Sequence, residues 1–241
     1  MYIDSFAGTG RCHIREGADG ERVIDGSAKI ALDCAPPFHV YHFIEPKKSH
    51  ADELQSLIDS HPNGPRAHLD RKPAAKVLPL LLKRFDWKST RGVLFLDPYG
   101  LQCTWEMVEQ VAATKALDVF FLVSISGLFR QAALNQRSID ESKRAALTAF
   151  LGTEDWKTAL YTREQQDLFD EPSISREPGY QGMLQFTTQR LRSVFPYVGE
   201  PLLLGRGKGP PMFALYFAVA NPSERALKLA ARVSRDILVR L

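Results

Sequence analysis

Strands and helices alternate over the first 125 residues, and this alternation constrains the fold more than any other feature of the sequence. Apolar runs rich in β-branched and aromatic residues alternate with segments whose apolar residues recur every three or four positions. Strands are predicted at residues 2–7, 39–45, 66–70, 92–97 and 118–125. Helices are predicted at residues 47–59, 74–85 and 105–114. Because parallel strands need long crossover connections, the pattern predicts a mostly parallel sheet with helices on both faces and a ligand at the carboxyl ends of its strands.

The pattern changes after the fifth predicted strand. Further helices are predicted near 138–151, near 154–161, at 184–194 and from Pro222 onward. The stretches "PLLLG" and "MFALYFAVA", joined through "RGKGPP", predict a hairpin that adds an antiparallel strand at the edge of the sheet. We therefore expect a single α/β domain over residues 1–241. Within it, residues 127–182 are expected to form a helical and loop insertion that acts as a lid or recognises the acceptor.

Composition indicates an ordinary globular chain. The 241 residues carry 31 Lys and Arg against 28 Asp and Glu, and a net charge of +3 permits an anionic partner without requiring one. The three cysteines are odd in number and widely spaced, which argues against a disulfide framework and for a reducing cytoplasm. No run reaches the roughly 18 to 20 apolar residues of a membrane span. We expect a cytoplasmic protein that does not contact a membrane.

Histidine spacing gives no indication of a metal site. All six histidines lie within the first 68 residues, close to Cys12 and Cys34. Their spacing matches neither C-x-x-C nor H-x-x-x-H, the patterns that protein zinc sites commonly show. We therefore expect no bound metal.

A glycine-rich turn, "FAGTG", follows the first predicted strand. Gly8 and Gly10 allow backbone to approach a ligand where a side chain would block it, although a tight strand–helix turn explains the isolated motif about equally well. A nicotinamide fingerprint requires a third glycine in G-x-G-x-x-G. His13 stands at that position, so a nicotinamide-dependent oxidoreductase is disfavoured.

Acidic residues end the next two predicted strands. Glu45 lies where a carboxylate can accept hydrogen bonds from ribose hydroxyls. The alternative interpretation is that Glu45 is a solvated surface carboxylate beside Lys47 and Lys48. Asp70 is positioned to accept a hydrogen bond from an adenine amino group, or equally to cap the helix that follows.

The stretch "LFLDPYG" places an acid where a buried strand leaves the sheet. A carboxylate at position 97 costs free energy of burial unless it has a hydrogen-bond partner or a ligand. Pro98 stiffens the exit, Tyr99 offers a stacking face and Gly100 permits a tight turn. This combination suits a planar group that carries an amino function, because the carboxylate accepts from the NH2 while the ring stacks.

Taken together, these stretches resemble the class I S-adenosylmethionine-dependent methyltransferases. "DSFAGTG" is similar to their cofactor loop, Glu45 to their ribose-binding acid, and "DPYG" to the D-P-P-Y type motif of amino-methyltransferases. In "DPYG" the aromatic directly follows the first proline, a departure that bears on the target atom. More closely, "YIDSFAGTG", "FIEP" and "LFLDPYG" in this order resemble the three-Cys-motif partner protein family, TcmP.

The resemblance implies a Rossmann-like fold with a mostly parallel seven-stranded sheet and a C-terminal antiparallel hairpin strand. It also implies bound S-adenosyl-L-methionine, and a protein partner encoded nearby. The cofactor-binding residues that it implies are Asp4, Phe6, Ala7, Gly8, Gly10, Glu45, Asp70 and Asp97. Catalysis is assigned to the segment Asp97, Pro98, Tyr99 and Gly100, with Asp97 gripping the acceptor's amino group.

The expected function is methyl transfer to an amino group of a base in DNA or RNA. The alternative is a non-catalytic partner or scaffold that keeps the methyltransferase fold. Members of the class usually have a helix before the first strand, whereas here the strand begins at residue 2, which makes the alternative credible.

The last predicted helix carries a basic stripe. Arg225, Lys228, Arg232 and Arg235 recur at three- and four-residue intervals. An apolar face is predicted opposite, formed by Ala226, Leu229, Val233 and Ile237. A solvated basic face is the preferred interpretation, and a surface for nucleic acid or a partner is the alternative. "RGKGPP" is interpreted as a flexible hairpin loop or, equally, as a phosphate contact.

Overall fold

The computed structural model describes residues 1–16, 20–164, 173–176, 179–205 and 209–239. The chain divides into two compact units. The first comprises Met1–Asp97 and Ala116–Val119, and the second comprises Pro98–Lys115 and Phe120–Leu241. The prediction of one domain with residues 127–182 as an insertion stays a prediction.

The first unit contains short strands separated by helices. Its strands are β1 (Tyr2–Asp4), β2 (Arg11–Glu16), β3 (Gly20–Asp25), β4 (Tyr41–Ile44), β5 (Ala67–Asp70) and β6 (Gly92–Leu96). Its helices are α1 (Ser27–Asp33), α2 (Lys48–Ser60) and α3 (Ala74–Leu82), with a short 3-10 turn at Gly64–Arg66. Strand β1 pairs in parallel with β4 and β6, and β4 pairs in parallel with β5. All three residues of β1 are buried, as expected for a central strand covered on both faces.

The helices of the first unit bury one face each against this sheet. In α2 the buried residues are Ala51, Leu54, Leu57 and Ile58, which confirms the predicted face of that helix. Leu54, Leu57 and Ile58 join a core cluster with Tyr41 and Phe43 of β4. Burial of these side chains stabilises the unit by about 1.5–3 kcal/mol each.

The second unit combines helices with antiparallel strands. Its helices are α4 (Trp105–Ala113), α5 (Ile125–Gln131), α6 (Glu141–Leu151), α7 (Trp156–Ala159), α8 (Gln181–Arg192) and α9 (Glu224–Val239), with a 3-10 turn at Gln136–Ser138. Its strands are β8 (Tyr161–Glu164), β9 (Ser173–Arg176), β10 (Tyr197–Val198), β11 (Leu202–Leu204) and β12 (Phe213–Val219). Both β10 and β11 pair antiparallel with β12, which confirms the predicted hairpin.

One strand, β7 (Leu117–Ser124), contributes residues to both units. Hydrogen bonding gives the strand order β10-β12-β7-β6-β1-β4-β5, with β11 paired to β12. The predicted fold class is confirmed: an α/β fold with a mostly parallel sheet of seven to eight strands, helices between them and a C-terminal antiparallel hairpin. Among the described residues, no helix has the length and apolar character needed to cross a bilayer.

The segment after Gly10 differs from prediction. The glycine turn does not lead directly into a helix, because the antiparallel hairpin β2–β3 stands between it and α1. Neighbouring side chains Val23 and Ile24 point to opposite faces of β3, yet both are exposed. A hairpin exposed on both faces carries no apolar periodicity, so the pattern that revealed the other strands is missing here.

The predicted apolar face of α9 is wrong at Leu229. That side chain is 59% exposed, whereas Ala230 and Ser234 are buried. Ala230 packs with Phe217 and Val219 of β12. Val233, another member of the predicted face, packs partly buried against the same cluster, so the predicted face is right at Val233 and wrong at Leu229. The side chain of Ile237 and residues 206–208 of "RGKGPP" lie outside the described structure.

Candidate cofactor site

Four carboxylates stand at the carboxyl ends of adjacent parallel strands in the first unit. In register, Asp4 at the end of β1 pairs with Phe43 of β4 and with Phe95 of β6. Glu45 and Asp97 follow these two strands directly, and Asp70 ends β5 opposite Ile44. The parallel register therefore brings Asp4, Glu45, Asp70 and Asp97 to one edge of the sheet, where the sequence predicts the ligand.

The glycine loop extends from Asp4 between the two neighbouring strands. Its backbone is held on both sides, because the Ser5 N–H donates to the Phe95 carbonyl at 3.1 Å and the Ala7 N–H donates to the Ile44 carbonyl at 3.1 Å. Ala7 is buried and Phe6 is half-buried. The hydroxyl of Ser5 is buried without a hydrogen-bond partner among the described residues.

Two glycines of this loop have left-handed backbone angles for different reasons. Gly8 has φ +60° and Gly10 has φ +76°, which L-residues rarely adopt. A Cβ added to Gly10 would lie 2.5 Å from Cδ2 of Leu57, so the buried Leu57 side chain would have to shift to accept it. A Cβ added to Gly8 would meet no atom within 4 Å. The space beside Gly8 is therefore open to a ligand.

Glu45 lies directly against this loop. Its side chain is only 3% exposed, and its Oε2 accepts the Gly8 N–H at 3.0 Å. Its Oε1 accepts the Lys47 N–H at 2.8 Å, and Nδ1 of His50 lies 3.9 Å from the same oxygen. A carboxylate has about four acceptor positions. Glu45 can therefore orient the loop and still accept a hydroxyl group.

Asp4 connects the loop to helix α1. Its side chain is fully buried, Oδ2 accepts the Ser27 hydroxyl at 2.6 Å and Oδ1 accepts the Phe6 N–H at 3.2 Å. Burial raises the pKa of Asp4 to about 6, although the hydrogen bonds from Ser27 and Phe6 oppose that shift. These contacts make Asp4 the residue that orients the loop. Ser27 was missed from sequence, although a Gly–Ser pair before an apolar run is a helix-start signal.

Replacement of Asp4 by Asn is expected to change how stability depends on pH. The folded-state pKa of about 6 exceeds the ordinary value of 3.8 for an Asp carboxyl, so the carboxyl's stabilising contribution is present below pH 3.8 and is lost as pH rises through 6. Urea unfolding should show that the unfolding free energy of Asp4→Asn rises by about 2 kcal/mol relative to that of wild type between pH 4 and pH 7.

The comparison with wild type also cancels the pH-dependent contribution that His42 makes to stability. Burial, with a smaller contribution from nearby His68, lowers the pKa of His42 to about 4, so that residue favours folding more as pH rises. Both proteins share His42, and its contribution cancels in the difference. A difference in unfolding free energy that stays constant from pH 4 to pH 7 would show that Asp4 titrates normally.

Asp97, like Asp70, has a carboxylate without a hydrogen-bond or ion-pair partner among the described residues. The Asp97 side chain is half-buried. Burial raises the pKa of Asp97. The Asp97 charge in turn contributes to the raised pKa of Cys12, which places the start of β2 near this carboxylate. Both oxygens of Asp97 are thus available to a ligand.

The charge of this edge favours a ligand that carries positive charge. In the described part of the chain, none of the four carboxylates forms an ion pair with Lys or Arg, and Nδ1 of His50 lies 3.9 Å from an oxygen of Glu45. The same part of the chain contains no cluster of three or more His, Cys, Asp or Glu able to hold a metal ion. His42 and His68 instead stack with ring centroids 5.1 Å apart.

The remaining predicted residues follow Asp97 along the chain, in the second unit. Pro98 is buried, whereas Tyr99 is 65% exposed, so Tyr99 does not fill the core. Gly100 has φ +62°, and a Cβ there would meet no atom within 4 Å. The turn therefore presents an aromatic ring to solvent next to a glycine that only its backbone angle requires.

Comparison with known proteins supports the fold. No family model and no curated protein matches the chain. A Legionella pneumophila protein of the DUF519 family is 10% identical over 98% of this chain and 82% of its own, with a TM-score of 0.54. A putative S-adenosylmethionine-dependent methyltransferase from Listeria monocytogenes is 10% identical over 90% of this chain and 89% of its own, with a TM-score of 0.42.

A third similar structure is the 16S rRNA (adenine(1408)-N(1))-methyltransferase from Catenulisporales acidiphilia. It is 12% identical over 90% of this chain and 83% of its own, with a TM-score of 0.39. At these identities the likeness concerns the fold alone. The Legionella pneumophila protein shares the fold with this chain, an α/β fold with a mostly parallel sheet and an antiparallel C-terminal hairpin. Kinship with TcmP proteins stays a prediction.

Proposed function

We propose that this chain is an S-adenosylmethionine-dependent methyltransferase whose acceptor is an amino group of a nucleic-acid base. The observation that carries the proposal is the open space beside Gly8, flanked by Glu45, at the same sheet edge as the partnerless Asp97. An edge that only completes the fold would have these polar groups paired within the chain.

The residues present fit S-adenosyl-L-methionine. Glu45 would accept hydrogen bonds from the ribose hydroxyls, Asp70 from the adenine amino group, and the loop from Phe6 to Gly10 would lie along the methionine part. The acidic edge suits a ligand that carries both a sulfonium and an ammonium charge. The cofactor supplies an activated methyl group when it is bound.

The chain's own contribution is to position the acceptor and exclude water. Asp97 would accept a hydrogen bond from the acceptor's amino group and so hold its nitrogen toward the methyl donor. A half-buried carboxylate acts strongly here because little solvent screens it. A strong base is unnecessary, since the methyl group is already activated.

Removal of Glu45 is expected to weaken cofactor binding. Glu45→Ala deletes the acceptor for ribose and leaves the Gly8 N–H unpaired, so the affinity for S-adenosylhomocysteine should fall by about 1–3 kcal/mol. Isothermal titration calorimetry measures this, with Glu53→Ala, an exposed acid on α2, as the matched control. Unchanged affinity in a folded Glu45→Ala protein would remove Glu45 from the site.

The acceptor class rests on the second unit. That unit carries 17 Lys and Arg against 14 Asp and Glu, whereas the first unit carries 14 of each. The whole excess of +3 therefore lies in the unit that contains the exposed Tyr99. A labelled-methyl transfer screen over DNA, RNA and protein tests the class directly, and transfer to protein alone would contradict it.

One observation favours the alternative function, a partner protein that keeps the fold without turnover. Both oxygens of Glu45 already accept backbone N–H groups, from Gly8 and Lys47. Such a protein would bind S-adenosylhomocysteine weakly and transfer no methyl group to any acceptor. A three-Cys-motif partner encoded nearby, and a lid formed by residues 127–182, remain predictions.

A further inference from the structure

A basic cleft lies within the second unit, between the 3-10 turn at Gln136–Ser138 and helices α6 and α7. Its volume is about 500 Å³, which is within the range of small-ligand sites. Three cationic side chains line it, those of Arg137, Arg144 and Lys157. Among the described residues, no Asp or Glu lines this cleft. The cleft is therefore far more basic than the whole chain, whose 241 residues carry a net charge of only +3.

The floor of the basic cleft is apolar and held in place. Ile139, Trp156 and Tyr161 form this floor, and each is at most 5% exposed. Nε1 of Trp156 donates to Oγ1 of Thr148 on α6 at 3.0 Å, and the Tyr161 hydroxyl donates to the Ala133 carbonyl at 2.6 Å. Because both rings are buried, neither offers a stacking face to a ligand. A ligand in this cleft is therefore recognised by its charge.

Hydrogen bonds hold together the elements that carry the three cations. Nε2 of Gln136 donates to the Lys157 carbonyl at 2.9 Å, which joins the turn of Arg137 to α7. The Arg144 guanidinium donates to the Ile139 carbonyl at 3.4 Å, which joins α6 to the residue that follows the same turn. Three separate elements thus bring their positive charges to one cleft.

The ion pairs of two of these cations lie at the surface. Arg144 pairs with Glu141 at 3.4 Å, and Lys157 pairs with Glu154 at 2.7 Å. The side chains of the two acids are 84% and 66% exposed, respectively. Ion pairs with such exposed partners contribute little to stability, because water and salt screen them. A multivalent anion can therefore replace both carboxylates with little loss of stability.

We propose that the basic cleft binds the phosphate backbone of a nucleic-acid strand. The guanidinium groups of Arg137 and Arg144 suit bidentate contact with phosphate oxygens, and the Lys157 ammonium supplies a compact charge. A strand carries regularly spaced phosphates, so it can engage several cations at once. Because the buried floor contacts no base edge, the cleft positions the strand without distinguishing sequences. The inference rests on the proposed function, since it names how the acceptor of that function is held.

The experiment is equilibrium binding of a fluorescently labelled single-stranded oligonucleotide at several salt concentrations. Arg144→Gln and Lys157→Gln should each weaken binding by about 3- to 10-fold at low salt, because each removes a charged hydrogen bond that is partly screened. Each should also flatten the dependence of log K on log salt by about 0.7, the value for one phosphate of a single strand. Both effects should be the same for oligonucleotides of different sequence.

Lys143→Gln is the matched control. Lys143 neighbours Arg144 on α6, and their side chains are 38% and 42% exposed, but Lys143 pairs with Asp140 and does not line the cleft. The control removes one positive charge from the same helix and should leave oligonucleotide affinity unchanged. An equal loss in Lys143→Gln would overturn the proposal in favour of attraction to the net charge. A loss in Arg144→Gln that only follows its melting temperature would overturn it as well.

Competition identifies the source of the bound anion. Unlabelled oligonucleotide, inorganic phosphate and a poly-glutamate peptide are each titrated against the labelled strand. The oligonucleotide should displace it at the lowest concentration of negative charge. Stronger displacement by inorganic phosphate would assign the cleft to small phosphate ligands, and stronger displacement by poly-glutamate would assign it to an acidic peptide. Either result overturns the proposal.

Calorimetry with S-adenosylhomocysteine on the same samples distinguishes this proposal from the proposed function. If the cofactor binds but oligonucleotide affinity is equal in wild type, Arg144→Gln and Lys157→Gln, the basic cleft is overturned and the cofactor site stands. If oligonucleotide binding depends on both cations but the cofactor does not bind, the basic cleft is supported and the methyltransferase proposal fails.

Discussion

Asp97→Asn is expected to reduce methyl transfer by roughly 100-fold or more while cofactor affinity stays unchanged. The substitution keeps the shape of the side chain but replaces one carboxylate oxygen with an NH2 group, which donates hydrogen bonds. It therefore removes the proposed hydrogen bond from the substrate's amino group to Asp97. Cofactor affinity should persist because Gly8, Glu45 and the loop are untouched. Transfer rate, calorimetry and melting temperature are measured on the same protein.

Asp118→Asn is the matched control for this variant. Asp118 is also half-buried, burial also raises its pKa, and it lies at the opposite, amino-terminal end of its strand, β7. Asp118→Asn should change the rate of methyl transfer little. If Asp97→Asn instead lowered the melting temperature and left the specific activity of the folded fraction intact, Asp97 would be structural and the chain a methyltransferase in fold only.

Gly8→Ala is expected chiefly to weaken cofactor binding, whereas Gly10→Ala is expected chiefly to lower the stability of the fold. Gly10→Ala should lower the free energy of unfolding by about 2–4 kcal/mol, because a left-handed angle is joined by overlap with Leu57. Gly8→Ala should lower it by only about 1–2 kcal/mol, the conformational part alone. Its added methyl group enters the open space of the proposed site, so affinity for S-adenosylhomocysteine should fall roughly tenfold or more.

Gly100→Ala gives the conformational penalty by itself. Gly100 shares the left-handed angle of Gly8, and an added Cβ there also meets no atom within 4 Å. Its stability loss, from urea unfolding, should equal that of Gly8→Ala. A Gly8→Ala protein that is folded and binds S-adenosylhomocysteine like wild type would show that the space beside Gly8 is not the cofactor site.

The strands of the sheet were predictable because burial on both faces leaves a readable pattern. The run that holds Leu94 and Leu96 is continuous and apolar, as strands covered by helices must be. The same reasoning placed Asp97 at a strand exit, since an acid directly after a buried run has to leave the sheet. The sequence predicted these positions to within one or two residues.

The hairpin β2–β3 and the orientation of α9 were not predictable in this way. Val23 and Ile24 are both exposed on a strand without a buried face, so no periodicity distinguishes it from a loop. In α9, Leu229 and Ala230 are adjacent, and the small residue rather than the large one packs with Phe217. The choice depends on the space that β12 leaves, which helical spacing does not contain.

Sequence alone determined the α/β class, the strand-end acids and the glycine positions of this protein, because each leaves a local signature in residue type and spacing. Tertiary structure decided which of these groups have partners. It paired Glu45 with Gly8 and Asp4 with Ser27, and among the described residues it left Asp97 without a partner. Such pairings depend on register and on contacts between residues distant in the chain, which no local pattern specifies.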